Sequence, residues 1–267
     1  VFARLSPDTN AGGSAEISLE WGADAKRVRL PSQPAETPST NYVPYGVNTM
    51  HRVLTFLVKL MDQTRSGAHM ETLELGCRLI RTAFETAGSR IGGVPSLVQV
   101  IQDDLCKRVL QNSQIKSLSI LSLTLRIVYD LFNAVKEHLR VQLEVFFTSI
   151  HMRIGESEAS LYEEKELVFE SLVEFCNDSS LIVGLYRNYD CEVSSTNLFE
   201  DLCKFLARSA VPHHSTEDPD ARSEEKQGSI NRLHVLSLEG ILAMLHSLAR
   251  RFARDMDDEE KDGEEAK

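Results

Sequence analysis

The stretch Ile115–Val135, IKSLSILSLTLRIVYDLFNAV, decides the fold class. Leu118, Ile120, Leu121, Leu123, Leu125, Ile127, Val128, Leu131 and Phe132 fall on nearly every side of a helix. A helix on the surface of a domain keeps one polar face. A helix that is apolar all round must be covered by neighbours on all sides. This segment therefore belongs at the centre of a stack, and the rest of the chain should supply the covering helices.

The flanking segments do so. Before it, Val47, Met50, Val53, Leu54, Leu57, Val58 and Met61 recur at helical spacing, as do Met70, Leu73, Leu75, Cys77, Leu79, Ile80 and Phe84, up to a stop at Ala87-Gly88. Pro95 opens a third helix in a favourable first-turn position. After the central segment, a fifth helix is predicted over Lys136–Arg153. A sixth starts at the capping pattern Ser160-x-x-Glu163. A short seventh spans Ser180–Arg187, an eighth runs from the cap pattern Asn197-x-x-Glu200 to Ala207, and a last one covers Ser229–Arg254. Strand-like alternation is absent from the sequence, so the fold class is all-α. The helices fall into pairs beginning near residues 46, 94, 137 and 179. Offsets of about 40–50 residues match HEAT and armadillo repeats, in which each pair leaves an apolar face for the next to cover. A HEAT/armadillo-like helical-repeat solenoid is expected.

Composition divides the chain into three parts. Residues 1–43 hold Gly12, Gly13, Pro31, Pro34 and Pro38 among many Ser and Thr, which reads as a flexible linker. Within it, Ala15–Leu30 carries the single Trp21 beside Ile17 and Leu19, and is read either as more linker or as a short docking piece. Residues 44–254 are the helical-repeat domain, with a mobile polar loop at 211–229. Residues 255–267 are an acidic tail expected to be disordered. The chain has 29 basic and 40 acidic residues, a net charge of −11, and the tail's eight carboxylates against two lysines supply about half of it. A mildly acidic domain lacks the basic surplus that nucleic acid needs. Five single cysteines without a C-x-x-C pattern point to a reducing compartment. The start, Val1-Phe2-Ala3-Arg4, has neither an initiator Met nor a signal-peptide pattern, as expected for a piece of a longer protein.

Catalytic chemistry has no footing in the sequence. There is no phosphate loop, G-x-S-x-G, H-E-x-x-H or G-x-G-x-x-G. Ile91-Gly92-Gly93-Val94 is a helix connector. His213-His214 have no Cys or His partner at metal-ligand spacing, so a solvated pair is the expectation. No enzyme activity, cofactor or metal is expected.

One cluster stands out. Asn188-Tyr189-Asp190-Cys191-Glu192 sets an amide, a phenol, two carboxylates and a thiol between the apolar segments Leu181–Tyr186 and Leu198–Leu206. Two readings fit. Asn188, Asp190 and Asn197 cap and turn the chain between two helices, or the cluster is a rigid recognition patch on the surface of the solenoid. Asp190 is expected to face inward, with Tyr189 and Glu192 nearer a partner.

Asn188-Tyr189-Asp190-Cys191-Glu192 resembles the HUS box of the large Arf guanine-nucleotide exchange factors, HUS standing for homology upstream of the exchange domain. The family pattern usually ends in Asp, and Glu192 keeps the charge on a longer side chain. Tyr42-Val43-Pro44-Tyr45-Gly46-Val47 is similar to the entry of this region in the Golgi brefeldin-resistance subgroup. Leu185-Tyr186, Asn197-Leu198-Phe199-Glu200-Asp201-Leu202 and His234-Val235-Leu236-Ser237-Leu238-Glu239-Gly240 continue the likeness, which covers roughly Tyr42–Arg250. The resemblance implies a regulatory module without exchange chemistry, which belongs to a separate domain that this chain does not match. It implies contact between the box, Asn188 to Glu192, and an N-terminal dimerisation domain of the same protein. Arf- or Rab-type GTPases are further implied partners, and the implied location is cytoplasmic, peripheral to Golgi membranes. The competing reading is a helical scaffold of a membrane-peripheral or coat complex with no exchange role.

Overall fold

Helix α1 (Val47–Leu60) turns back on α2 (Met70–Ala87), and their contact is close because Gly76 presents no side chain there: a Cβ would lie 2.9 Å from Leu60 Cβ. In α2, Leu73, Gly76, Cys77, Ile80 and Phe84 form the buried stripe at helical spacing. The helix stops at Gly88, whose φ of 53° favours glycine. The computed structural model describes residues 46–64, 69–193, 195–211 and 224–265. All of them belong to one unit, Val43–Lys267; the unit Val1–Tyr42, which holds nearly all of the expected linker, lies outside the described residues.

The second pair begins with α3 (Pro95–Val100), with Pro at its first turn, and continues through a π-helical turn (Ile101–Leu105) into α4 (Cys106–Asn112). Its partner is α5 (Leu118–Val135), opened by the Ser117 hydroxyl, which accepts the Ile120 N–H. The third pair is α6 (Arg140–Phe146), a π-helical turn (Phe147–Met152) and α7 (Arg153–Glu156), followed by α8 (Tyr162–Cys176). The fourth is α9 (Ser179–Leu185), a π-helical turn (Tyr186–Asp190) and α10 (Leu198–Ala210), followed by α11 (Glu224–Glu265). The pairs start within a few residues of the positions read from the sequence. The described residues contain helices and turns and no strand, so the fold is all-α.

The second helices stack in chain order: α2 on α5, α5 on α8, α8 on α11. This is the covering that α5 demands. Ile120, Leu121, Leu125, Ile127, Val128, Leu131, Phe132 and Val135 are all buried. Removing each such side chain from water contributes about 1.5–3 kcal/mol. Phe175 of α8 is the hub of the next layer. Its ring meets Tyr129 at 5.2 Å, Phe132 at 5.8 Å and Phe147 at 5.1 Å, all edge-on. Beside it, buried His151 shares polar contacts with the Ser171 hydroxyl at 3.1 Å and the Phe146 carbonyl at 3.3 Å.

Several boundaries differ from expectation for local reasons. The cap of α8 is shifted by one residue: the Leu161 N–H donates to the Glu164 carboxylate at 2.9 Å, so Glu164 rather than Glu163 closes the first turn. The predicted fifth helix is broken at its start by a 3₁₀ turn, Lys136–His138. The last helix begins at Glu224, inside the expected loop, and continues to Glu265 through the tail expected to be disordered. A helix already anchored in the stack extends without a new nucleation cost, and Met256, Glu259, Glu260 and Lys261 are good helix formers. His213 and His214 lie outside the described residues.

Candidate functional site

The cluster singled out in the sequence sits where α9 ends. Widening of the helix over Tyr186–Asp190 lets the Tyr186 carbonyl accept the Cys191 N–H at 3.0 Å, five residues on. The wider turn changes which side chains face in. Tyr189, expected nearer a partner, is only 3% exposed. Its hydroxyl donates to the Arg140 carbonyl at 2.5 Å, and the Arg140 guanidinium lies over its ring, 5.6 Å from the centroid. Burial, reinforced by the Glu144 carboxylate and opposed by Arg140, pushes the phenol up to about 12, so the hydroxyl remains a donor at neutral pH.

Arg140 is the residue that organises the cluster, and sequence reasoning missed it. It opens α6, in the preceding pair. Its guanidinium donates to the Asn188 carbonyl and to the Ser195 hydroxyl, the latter at 2.7 Å, and reaches the Glu192 carboxylate at 3.9 Å. A second tie runs alongside, from the Thr196 hydroxyl to the Glu144 carboxylate at 2.9 Å. The box is thereby clamped to the third helical pair. One signal was available: a cation in the first turn of a helix opposes the macrodipole, so Arg140 needed a reason to be there.

Asp190 turns inward to the next helix. Its two carboxylate oxygens accept the Phe199 N–H at 2.8 Å and the Glu200 N–H at 2.9 Å. It therefore caps α10 from outside that helix, satisfying two of the donors a helix start leaves unpaired. Asn197, the residue at the cap position, instead donates its side-chain amide to Glu200 at 3.0 Å. Of Asn188, Asp190 and Asn197, expected to cap and turn the chain, Asp190 supplies the cap through its own side chain.

The other members face water. Asn188, Cys191 and Glu192 are exposed, as are Tyr186, Arg187, Val141 and Val193 around them. Arg140 lies in the wall of two open clefts. One, of about 470 Å³, runs past Lys136, Leu181, Arg187 and Asn188; the other, of about 490 Å³, past Val141, Glu144, Val193 and Thr196. The surface combines apolar side chains with charges of both signs on a backbone held by several hydrogen bonds. Such a surface suits recognition of a protein. Among the described residues, no group of His, Cys, Asp and Glu is arranged to hold a metal ion.

The family model described as "Mon2/Sec7/BIG1-like, HUS domain" matches residues 46–198, more than half of the chain and inclusive of the cluster. The matched model is that of the HUS domain, not of an exchange domain. The chain is 29% identical over 224 residues to the ARF guanine-nucleotide exchange factor GNOM of Arabidopsis thaliana, covering 80% of this chain and 14% of that protein. It is 27% identical over 176 residues to the Golgi-specific brefeldin A-resistance guanine nucleotide exchange factor 1 homolog of Caenorhabditis elegans, covering 64% of this chain and 9% of the relative. It is 30% identical over 143 residues to the human brefeldin A-inhibited guanine nucleotide-exchange protein 1, covering 54% and 8%. The chain thus spans about a seventh or less of the length of these relatives.

Proposed function

Because the chain belongs to the Mon2/Sec7/BIG1-like HUS-domain family, we propose that it is a non-catalytic interaction module of a large Arf exchange factor. In this proposal the exposed rim of the box, Asn188, Cys191 and Glu192, contacts the N-terminal dimerisation domain of the same protein. The parent then works from the cytoplasm at Golgi membranes, and the Caenorhabditis elegans relative is itself named Golgi-specific. Arf- or Rab-type GTPases are partners of the parent, and control of membrane recruitment and exchange passes through the box contact.

The observation that carries the proposal is the division of labour within the box. Tyr189 and Asp190 are used up internally, by Arg140 and by the start of α10. They fix the backbone from which Asn188, Cys191 and Glu192 project. A preorganised loop loses little conformational entropy on binding, which is what a specific contact needs. The test is calorimetric titration of this chain with the N-terminal domain of its parent, alongside a nucleotide-release assay on Arf. Saturable binding is expected, with Arf releasing nucleotide at its spontaneous rate when this chain alone is added. Acceleration of release by the isolated chain would overturn the non-catalytic role, and absence of binding would overturn the partner assignment.

A further inference from the structure

We propose that the outer face of α11 is an antiparallel self-association seam, through which two copies of this chain pack α11 against α11. The inner face of α11 is already occupied. Leu236, Ser237, Ala243, Met244 and Ser247 are buried. Gly240 gives the close approach there, with a Cβ falling 3.3 Å from Leu206. The Ser247 hydroxyl donates to the Cys176 carbonyl at 2.7 Å, and Arg232 reaches Glu166 at 3.1 Å and Glu170 at 3.4 Å. The opposite face is apolar too, and open: Val235, Leu238, Leu242, Leu245 and Phe252 are between 45% and 69% exposed.

The spacing of the open face chooses the kind of occupant. Val235, Leu238, Leu242, Leu245, Ala249 and Phe252 alternate three and four residues apart. That is the narrow a/d seam of a two-helix coiled coil, not the broader stripe with which a helix covers a globular core. The seam is self-complementary when the helices run in opposite directions. Leu242 of one copy then lies opposite Leu245 of the other, Leu238 opposite Ala249, and Val235 opposite Phe252. Bulky residues meet each other at the centre, and the remaining large residues meet smaller ones.

Charge fixes the direction. Beyond the seam α11 carries eight acidic residues between Asp255 and Glu265. A parallel pair would place the two acidic runs side by side, whereas an antiparallel pair puts them at opposite ends. The same acidic run opposes docking on an anionic membrane. Area sets the strength. The open seam amounts to on the order of 500 Å² per copy, so a pair buries about 1,000 Å² in total. That is the lower bound for a specific interface, so a weak, reversible dimer is expected.

The test is sedimentation equilibrium of the whole chain over about 1–200 µM, with Leu242→Glu/Leu245→Glu as the seam variant and Phe56→Glu, an exposed position on α1, as the control. A monomer–dimer equilibrium is expected. The seam variant should weaken it at least tenfold with unchanged helicity, and the control should leave it intact. In a Cys191→Ser background, Leu238→Cys together with Ala249→Cys should give a cross-linked dimer under mild oxidation, and Leu238→Cys alone should not. A monomer at every concentration overturns the proposal, as does a dimer indifferent to the seam variant. Cross-linking through Leu238→Cys alone overturns the antiparallel arrangement. If the chain stays monomeric and binds anionic vesicles in a manner lost in the seam variant, self-association is overturned and the face belongs to lipid.

Discussion

Replacing Asp190 by Ala removes both acceptors at the start of α10 at once. The Phe199 N–H is partly buried and the Glu200 N–H is exposed, so water rescues the second far better than the first. A partly buried donor left unpaired costs about 1–3 kcal/mol, and loss of a helix cap about 0.5–2 kcal/mol. These describe overlapping effects, and a combined loss of about 2 kcal/mol follows. For a domain of roughly 200 residues each kcal/mol lowers the thermal midpoint by about 2–4 °C, so Asp190→Ala should melt about 4–8 °C lower. Asp190→Asn keeps one carbonyl oxygen as acceptor and should recover about half of the loss. The assay is thermal unfolding followed by circular dichroism, repeated by urea titration to show that the unfolding slope is unchanged. A midpoint within 1 °C of the wild type would refute the capping role and return Asp190 to the pool of residues free to meet a partner.

Two titratable groups, buried His151 and partly buried Asp130, should move stability in opposite directions with pH. Burial lowers the His151 pKa to about 4. The folded state then holds it neutral while the unfolded chain takes up a proton near 6.5, so stability falls as pH drops from about 6.5 to 4, by about 3 kcal/mol in all; His151→Leu should flatten that slope in pH-dependent urea melts. Burial raises the Asp130 carboxyl to about 6, with Arg81 3.6 Å away only partly opposing it. Its contribution is present below its unfolded value and is lost as pH rises through 6, so Asp130→Asn should stabilise the chain by about 1–2 kcal/mol at pH 7 and give no gain at pH 4. Gly155→Ala would drive a Cβ into the Phe205 ring, pushing α7 and α10 apart at a cost of about 1–3 kcal/mol, measurable as a lower urea midpoint.

The fold was largely legible because its signals are local and periodic. The all-round apolar pattern of Leu118–Phe132 demanded neighbours on both sides, and the structure supplies α2 and α8. Pro95 and Gly88 punctuate helices for reasons of single-residue geometry. The turn at residues 188–192 between two buried helices was legible, but the orientation of its side chains was not. Which way Tyr189 points depends on the π-helical turn at Tyr186–Asp190, and that widening has no signature in propensity or in hydrophobic spacing. Arg140 reaches the box from 48 residues earlier, to the Asn188 carbonyl, and contacts so distant in sequence leave no periodic trace. The one-residue shift of the α8 cap has the same origin: Ser160 with Glu163 is the pair that fits the capping pattern in sequence, whereas the helix as packed starts one residue later and the Leu161 N–H donates to Glu164. The open seam on α11 went unread because apolar periodicity alone does not say whether a face is covered.

The claim at the centre of this account is that the box is anchored by Tyr189 and Asp190 and recognises through the residues beside them. The most direct measurement is the affinity of the parent's N-terminal domain for the double variant Cys191→Arg/Glu192→Lys, taken together with its melting temperature. Both side chains are exposed, and the ion pair between Glu192 and Arg140 is long, at 3.9 Å, and solvent-facing, so the midpoint should stay within about 2 °C of the wild type. The account predicts affinity weakened at least tenfold at that unchanged stability. Unaltered affinity in a normally folded double variant would contradict it, leaving the box as internal scaffolding alone.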